Sequence, residues 1–232
     1  MNVYEDEPGA TVRALYQTIA ALSAAIEFRD PYTVEHQSGV GTLCRAVGEM
    51  LGLSAAQQHA LRMAAMLHDI GKIAVPTDIL NKPRALTEEE RGLVRTHPEA
   101  GYAILANVDF PWPVADIVLQ HHERYDGSGY PAGLAGEAIM LEARILAVAD
   151  TCDSMLVDRP YRKGLPLAQV LLELEQHSGT TLDPVVCEAM TTLLTSRIDS
   201  FRNFAPEVQR QPVVQTLLRH SGFTSASTTV AE

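Results

Sequence analysis

The sequence predicts an all-α fold, and three observations carry that prediction. Apolar residues recur at spacings of three and four, helix-start signals stand at intervals along the chain, and no segment of convincing length alternates apolar with polar residues as a half-buried strand would. With 232 residues, 46% of them apolar and 20% charged, the chain has globular composition and the length for one well-buried core rather than two catalytic domains.

Taken in order, Val12, Leu15, Ile19, Leu22 and Ile26 form an apolar stripe that predicts a leading helix over 10–28. The stripe reads as core or as the seam of a homodimer. A second helix is expected over 33–52. Ser54-x-x-Gln57 is a capping box and predicts a third helix, running to Ile70 ahead of Gly71. Thr87-x-x-Glu90 is another box, and its helix must break or kink before Pro98. Helices are expected over 113–122, 140–157, 166–177 and 184–200, the last with Asp183 as N-cap and Pro184 as its first residue. The segments 73–86, with Pro76 and Pro83, and 125–136, with Asp126-Gly-Ser-Gly-Tyr-Pro, read as loops. A short helix over 206–219 and a disordered tail are expected beyond. The organisation predicted is a leading helix over 1–28, one main helical domain over 29–202, and a helix and tail over 203–232.

Charge narrows the function. Against 29 acidic residues stand 18 basic ones, a formal net charge of −11, which argues against DNA or RNA polymers as partners because these need a basic footprint. A small anionic ligand needs only a few local cations. No apolar run is long enough to predict a membrane span, and the acidic start MNVYEDEPGA does not read as a secretory signal. Cys44, Cys152 and Cys187 lie far apart without CxxC spacing, as reduced structural thiols of a cytoplasmic protein would.

The chemistry gathers at His36, His68-Asp69, His97, His121-His122 and Asp150. His68-Asp69 falls at the C-terminal end of a predicted helix, where the macrodipole favours a cation. His121-His122 closes another helix; adjacent helical residues point about 100° apart, so two rings can straddle an ion there. Asp150 lies within the apolar run ARILAVADTCDSML, where an ionised carboxylate needs a charge partner. Imidazole and carboxylate without thiolate suit Fe, Mn, Zn or Ni better than a structural zinc site. Five histidines and two aspartates exceed the needs of one ion and suit two, with one carboxylate bridging. Two close metals activate water and clamp the attacking and leaving oxygens in phosphoester cleavage. His59, His177 and His220 read as hydrogen-bonded core residues instead.

These strings resemble the HD-GYP family of metal-dependent phosphohydrolases. Leu67-His-Asp-Ile-Gly-Lys-Ile is similar to the HD signature, and His121-His-Glu-Arg-Tyr-Asp-Gly-Ser-Gly-Tyr-Pro-Ala-Gly-Leu to the hallmark of the HD-GYP branch. Asp30-Pro-Tyr-Thr-Val-Glu-His36 resembles the first ligand motif. Lys82-Pro83, Leu86-Thr-Glu-Glu-Glu90, His97-Pro-Glu-Ala-Gly101, Ala143-Arg-Ile-Leu-Ala-Val-Ala-Asp150 and Asp158-Arg-Pro-Tyr-Arg162 also fit, so that the resemblance covers residues 10–200.

The resemblance implies an HD-domain helical bundle and hydrolysis of cyclic di-GMP to linear pGpG, or on to GMP, through a hydroxide bridging two metals. One metal would be held by His36, His68 and Asp150, the other by His97, His121 and His122, with Asp69 bridging. Fe or Mn is expected ahead of Zn, Ni or Mg. Lys72 would contact the scissile phosphate and, with Asp69, carry the catalysis; Tyr130 would pack on the substrate at the pocket mouth; Arg159 and Arg162 would bind its phosphates or guanine edges. Where some members place a glutamate and bind a third metal, this chain has Tyr32, so two ions are expected. Cys152-Asp-Ser-Met stands where the family has Asp-Ala-Met, a change expected to be neutral. The leading helix reads as the link to a sensor domain. Two other readings are an enzyme for cyclic GMP-AMP or pGpG, and a receptor or adaptor that meets the messenger or signalling proteins through the Gly129-Tyr130-Pro131 loop.

Overall fold

A computed structural model describes residues 8–27, 36–157 and 163–196. Among the described residues ten α-helices follow one another: α1 (Pro8–Glu27), α2 (His36–Met50), α3 (Ala55–Leu67), α4 (Thr77–Leu80), α5 (Glu88–Val94), α6 (His97–Leu105), α7 (Val114–Gln120), α8 (Leu141–Leu156), α9 (Leu167–His177) and α10 (Pro184–Ser196). The described residues contain no strand, only isolated bridges, so the fold is all-α as expected. None of the described helices is long and apolar enough to cross a membrane.

The capping predictions hold in detail. Ser54 Oγ accepts from Gln57 N while Gln57 Oε1 accepts from Ser54 N, and Thr87 with Glu90 repeats the arrangement. Asp183 Oδ1 accepts from the amides of Val185 and Val186, and its other oxygen is ion-paired to Arg144. The start of α2 expected at Thr33 and the segment beyond 202 lie outside the described residues.

At the centre α2, α3 and α8 pack on one another, with α7 against α3 and α10 against α2 and α8. Leu43, Leu61, Met63, Ile117, Leu146 and Met190 are among the fully buried side chains. The leading helix lies on α3, where Ile19 and Ile26 are buried and Ser23 Oγ donates to the Met66 carbonyl. Leu22, expected in the same stripe, faces solvent. Cys44, Cys152 and Cys187 are buried free thiols, and burial pushes the Cys187 thiol up to about 12.

Several expectations need correction. Helix α3 ends at Leu67 rather than Ile70, because the chain tightens into a 3-10 turn over Ile70–Ala74. That turn touches α6 backbone to backbone: a Cβ on Gly71 would lie 1.9 Å from the His97 carbonyl oxygen, so only glycine fits. The segment 73–86 is not loop throughout, since α4 follows Pro76, and a proline ahead of the first turn costs no helical hydrogen bond. Pro98 does more than end a helix; it sits in the first turn of α6, which the sequence reading did not foresee. His59 and His177 are exposed rather than core residues, His59 stacking on Trp112 at 5.0 Å and His177 lying 3.0 Å from Thr181 Oγ1; His220 lies outside the described residues.

Candidate metal centre

The fold carries seven dispersed side chains to one place. His36 opens α2, His68 caps the end of α3 with Asp69 just beyond, His97 opens α6, His121 and His122 follow α7, and Asp150 projects from the middle of α8. His36, His68, Asp69, His97 and His121 are buried, and His122 and Asp150 are half-buried.

The orientation of the rings is fixed by what their outer nitrogens touch. His68 Nδ1 lies 2.9 Å from the Ala65 carbonyl oxygen, His97 Nδ1 2.7 Å from that of Val94, and His121 Nδ1 2.6 Å from that of Val118. A carbonyl only accepts, so each Nδ1 must carry its hydrogen, and each neutral ring keeps its lone pair on Nε2. Those Nε2 atoms converge. His97 Nε2 and His121 Nε2 are 3.3 Å apart, two lone pairs aimed at each other, which is unfavourable unless a cation lies between them. The donor set therefore fits a metal.

Two clusters emerge, His97 with His121 and His122, and His36 with His68 and Asp69; within each, one ligand atom from every residue lies within 4.8 Å of the others. Asp69, in the second cluster, also reaches toward the first. Its Oδ2 is 3.4 Å from His68 Nε2 and 2.9 Å from Lys72 Nζ, and its Oδ1 is 3.7 Å from His97 Nε2. Asp150 Oδ1 is 3.1 Å from His36 Nε2.

The clusters differ in charge. Burial and the neighbouring rings keep His97 and His121 below the ordinary imidazole range and hold His122 down to about 3. Burial also works against a charged His36, but hydrogen bonds to Asp150 and Asp153 outweigh it and push the ring up to about 10. His68 is raised as well, burial being overcome by the charge of Asp69. Burial likewise opposes the charge on Asp69, yet Lys72 and His68 hold its carboxyl well below the usual range.

Three residues escaped the sequence reading. Asp153 is fully buried with Oδ2 at 2.5 Å from His36 Nδ1, the place that a carbonyl takes for the other rings. The aspartate of the Cys152-Asp-Ser-Met segment, which Asp-Ala-Met also has, thus orients a candidate ligand. The signal was present: Asp150 and Asp153 are three apart on a helix and share a face. Glu123 was quoted only within a longer string, yet its buried carboxylate accepts from the amides of Ala132 and Leu134. Glu90 was read as a cap, and it also gathers Lys82 and Arg84 at the cleft.

A cleft of about 470 Å³ opens over the clusters and is lined on the other side by Lys72, Ile79, Lys82, Arg84, Leu86 and Tyr130, a size suited to a small ligand. The Tyr130 ring stacks on His122 with centroids 4.9 Å apart, its amide bonds the His122 carbonyl, and burial pushes its phenol up to about 12. Gly129 lets this loop lie against the backbone of Glu123 and Arg124, where a Cβ would come within 2.3 Å of the Arg124 nitrogen. Arg159, Arg162 and Tyr32 lie outside the described residues.

A sequence model described as HD domain matches residues 20–186. The chain is 44% identical over 176 residues to the cyclic di-GMP phosphodiesterase response regulator RpfG of Xanthomonas campestris pv. campestris, covering 75% of this chain and 47% of that protein. It is 40% identical over 190 residues to a cyclic di-GMP phosphodiesterase of Thermotoga maritima, covering 81% and 52%. The chain thus spans about half the length of these curated relatives. The crystal structure of a cyclic GMP-AMP specific phosphodiesterase of Vibrio cholerae shares the fold, with a TM-score of 0.62 at 21% identity over 86% of this chain and 54% of that one.

Proposed function

The chain belongs to the HD domain family and to its HD-GYP branch, and we propose that it is a metal-dependent phosphodiesterase that hydrolyses cyclic di-GMP to linear pGpG. The observation that carries this reading is the convergence of the Nε2 atoms of His68, His97 and His121, each ring turned inward by a hydrogen bond from Nδ1 to a backbone carbonyl. Relatives named as cyclic di-GMP phosphodiesterases support the substrate.

In this reading His97, His121 and His122 would hold one divalent ion, His36, His68 and Asp150 another, and Asp69 would serve both. When bound, the ions supply Lewis acidity and lower the pKa of coordinated water; Fe or Mn is the expected identity. The protein's own groups do the rest. Lys72, 2.9 Å from Asp69, brings a positive charge to the edge of the site, where it offsets charge that develops on phosphate oxygens. Asp153 and the backbone carbonyls hold the rings in place without further reorganisation. Tyr130, stacked on His122, forms the wall against which a nucleobase packs. Hydrolysis adds water across one P–O3′ bond, the 3′-oxygen leaving with a proton, and pGpG results. Arg159 and Arg162 are further candidate contacts to phosphate or guanine.

Chromatography of the products from cyclic di-GMP, 3′3′-cyclic GMP-AMP and pGpG, offered separately to metal-loaded protein, tests the assignment. Cyclic di-GMP is expected to be cleaved with the highest kcat/KM, and GMP would mark a second cleavage. Preference for another dinucleotide would overturn the substrate, and binding without turnover would favour a receptor.

A further inference from the structure

The cleft holds a second cluster of charge, apart from the histidines. Lys82 and Arg84 line it from the segment between α4 and α5, and both pair with the carboxylate of Glu90. Lys82 Nζ bonds Glu90 Oε1, Arg84 Nη2 lies 3.2 Å from the same oxygen, and Arg84 Nη1 lies 3.3 Å from Oε2. Glu90 is itself anchored, because its Oε2 accepts from Thr87 N at 2.9 Å in the capping box that opens α5. Lys82 and that backbone contact hold its carboxyl down to about 2, so it stays charged at neutral pH. One carboxylate against two cations leaves a positive charge at the cleft. In a chain of net charge −11, a bound anion must find such local cations or meet repulsion.

We propose that Lys82 and Arg84 form a phosphate subsite that receives the uncleaved phosphodiester of a cyclic dinucleotide. The inference rests on the phosphodiesterase reading above. A cyclic dinucleotide carries two phosphodiesters on one ring, and seating one beside the histidines brings the other into the same cleft, where an anion removed from water needs a partner. Arg84 offers a planar fork of donors and Lys82 a compact charge, a combination suited to non-bridging phosphate oxygens. The two cations lie outside the metal clusters, so their contribution is to binding and register of the ring.

The test compares cyclic di-GMP with bis(p-nitrophenyl) phosphate, which carries a single phosphodiester, on metal-loaded protein. In Lys82→Met/Arg84→Met the ratio of kcat/KM for cyclic di-GMP to that for the model diester is expected to fall at least about tenfold, mainly through KM, as loss of a charge-assisted contact requires. Glu90→Gln removes the ion pairs but keeps both cations and a capping side chain, and its ratio is expected not to fall. A fall of the same size in Glu90→Gln would assign the cluster to scaffolding and overturn the subsite. A double variant whose ratio stays within about twofold of the parent, below the loss expected for a charged contact, would overturn it as well. A parent protein that cleaves the model diester but not cyclic di-GMP would overturn the substrate reading, and the subsite with it.

Discussion

Glu123 accepts a hydrogen bond from the backbone amide of Ala132 at 2.7 Å, and with its other oxygen one from Leu134 at 3.0 Å. The residue directly after the histidine pair thereby holds the loop that carries Tyr130. The Tyr130 amide bonds the His122 carbonyl, and the two rings stack, so loop and candidate ligand form one unit.

Glu123→Ala should accordingly loosen that loop and lower stability together. Two buried hydrogen bonds to a carboxylate are lost, a cost of about 3 kcal/mol, to be read from urea unfolding of the metal-free protein. A loss below about 0.5 kcal/mol, typical of an ordinary surface substitution, would contradict the clamp.

Asp153→Ala removes the partner of His36 Nδ1 and leaves the ring without its orienting hydrogen bond. Metal affinity should fall about 10- to 100-fold, measured by competition with a chelator of known affinity, and Asp153→Glu or Asn should recover part of it. Unchanged affinity in the alanine variant would remove Asp153 from any role in positioning His36.

Metal loading should release protons. His36, pushed up to about 10 by Asp150 and Asp153 against the effect of burial, is protonated at pH 7 in the metal-free protein, whereas His122, down to about 3, is neutral. A metal at His36 must displace that proton, so its affinity rises with pH until about 10, while the His97, His121 and His122 cluster binds at pH 7 without such competition. Calorimetry in buffers of different ionisation enthalpy should register at least one proton released per chain. Release of none would contradict the charge state assigned to His36.

Much of this was legible from local signals. The capping boxes at Ser54 and Thr87 and Asp183 as N-cap depend on neighbours a turn away, and each appears as read. All seven candidate ligands meet, because their motifs are short and chemically distinctive. What was missed depends on contacts distant in sequence. Asp153 reaches His36 across 117 residues, Arg144 pairs with Asp183 across 39, and the turn at Gly71 is decided by the His97 carbonyl. No local pattern encodes those approaches. Short elements such as α4 and the 3-10 turn carry too few residues for a periodic signal.

The most direct test measures metal content and cyclic di-GMP hydrolysis together, on protein purified anaerobically and reconstituted with Fe(II) or Mn(II), beside Asp69→Ala. Asp69 has one oxygen toward His68 and the other toward His97, and so faces both clusters. The account predicts two ions per chain and pGpG as product, with hydrolysis lost in the variant. Protein that binds no metal under either reconstitution, or a variant that hydrolyses cyclic di-GMP as fast as the parent, would contradict it.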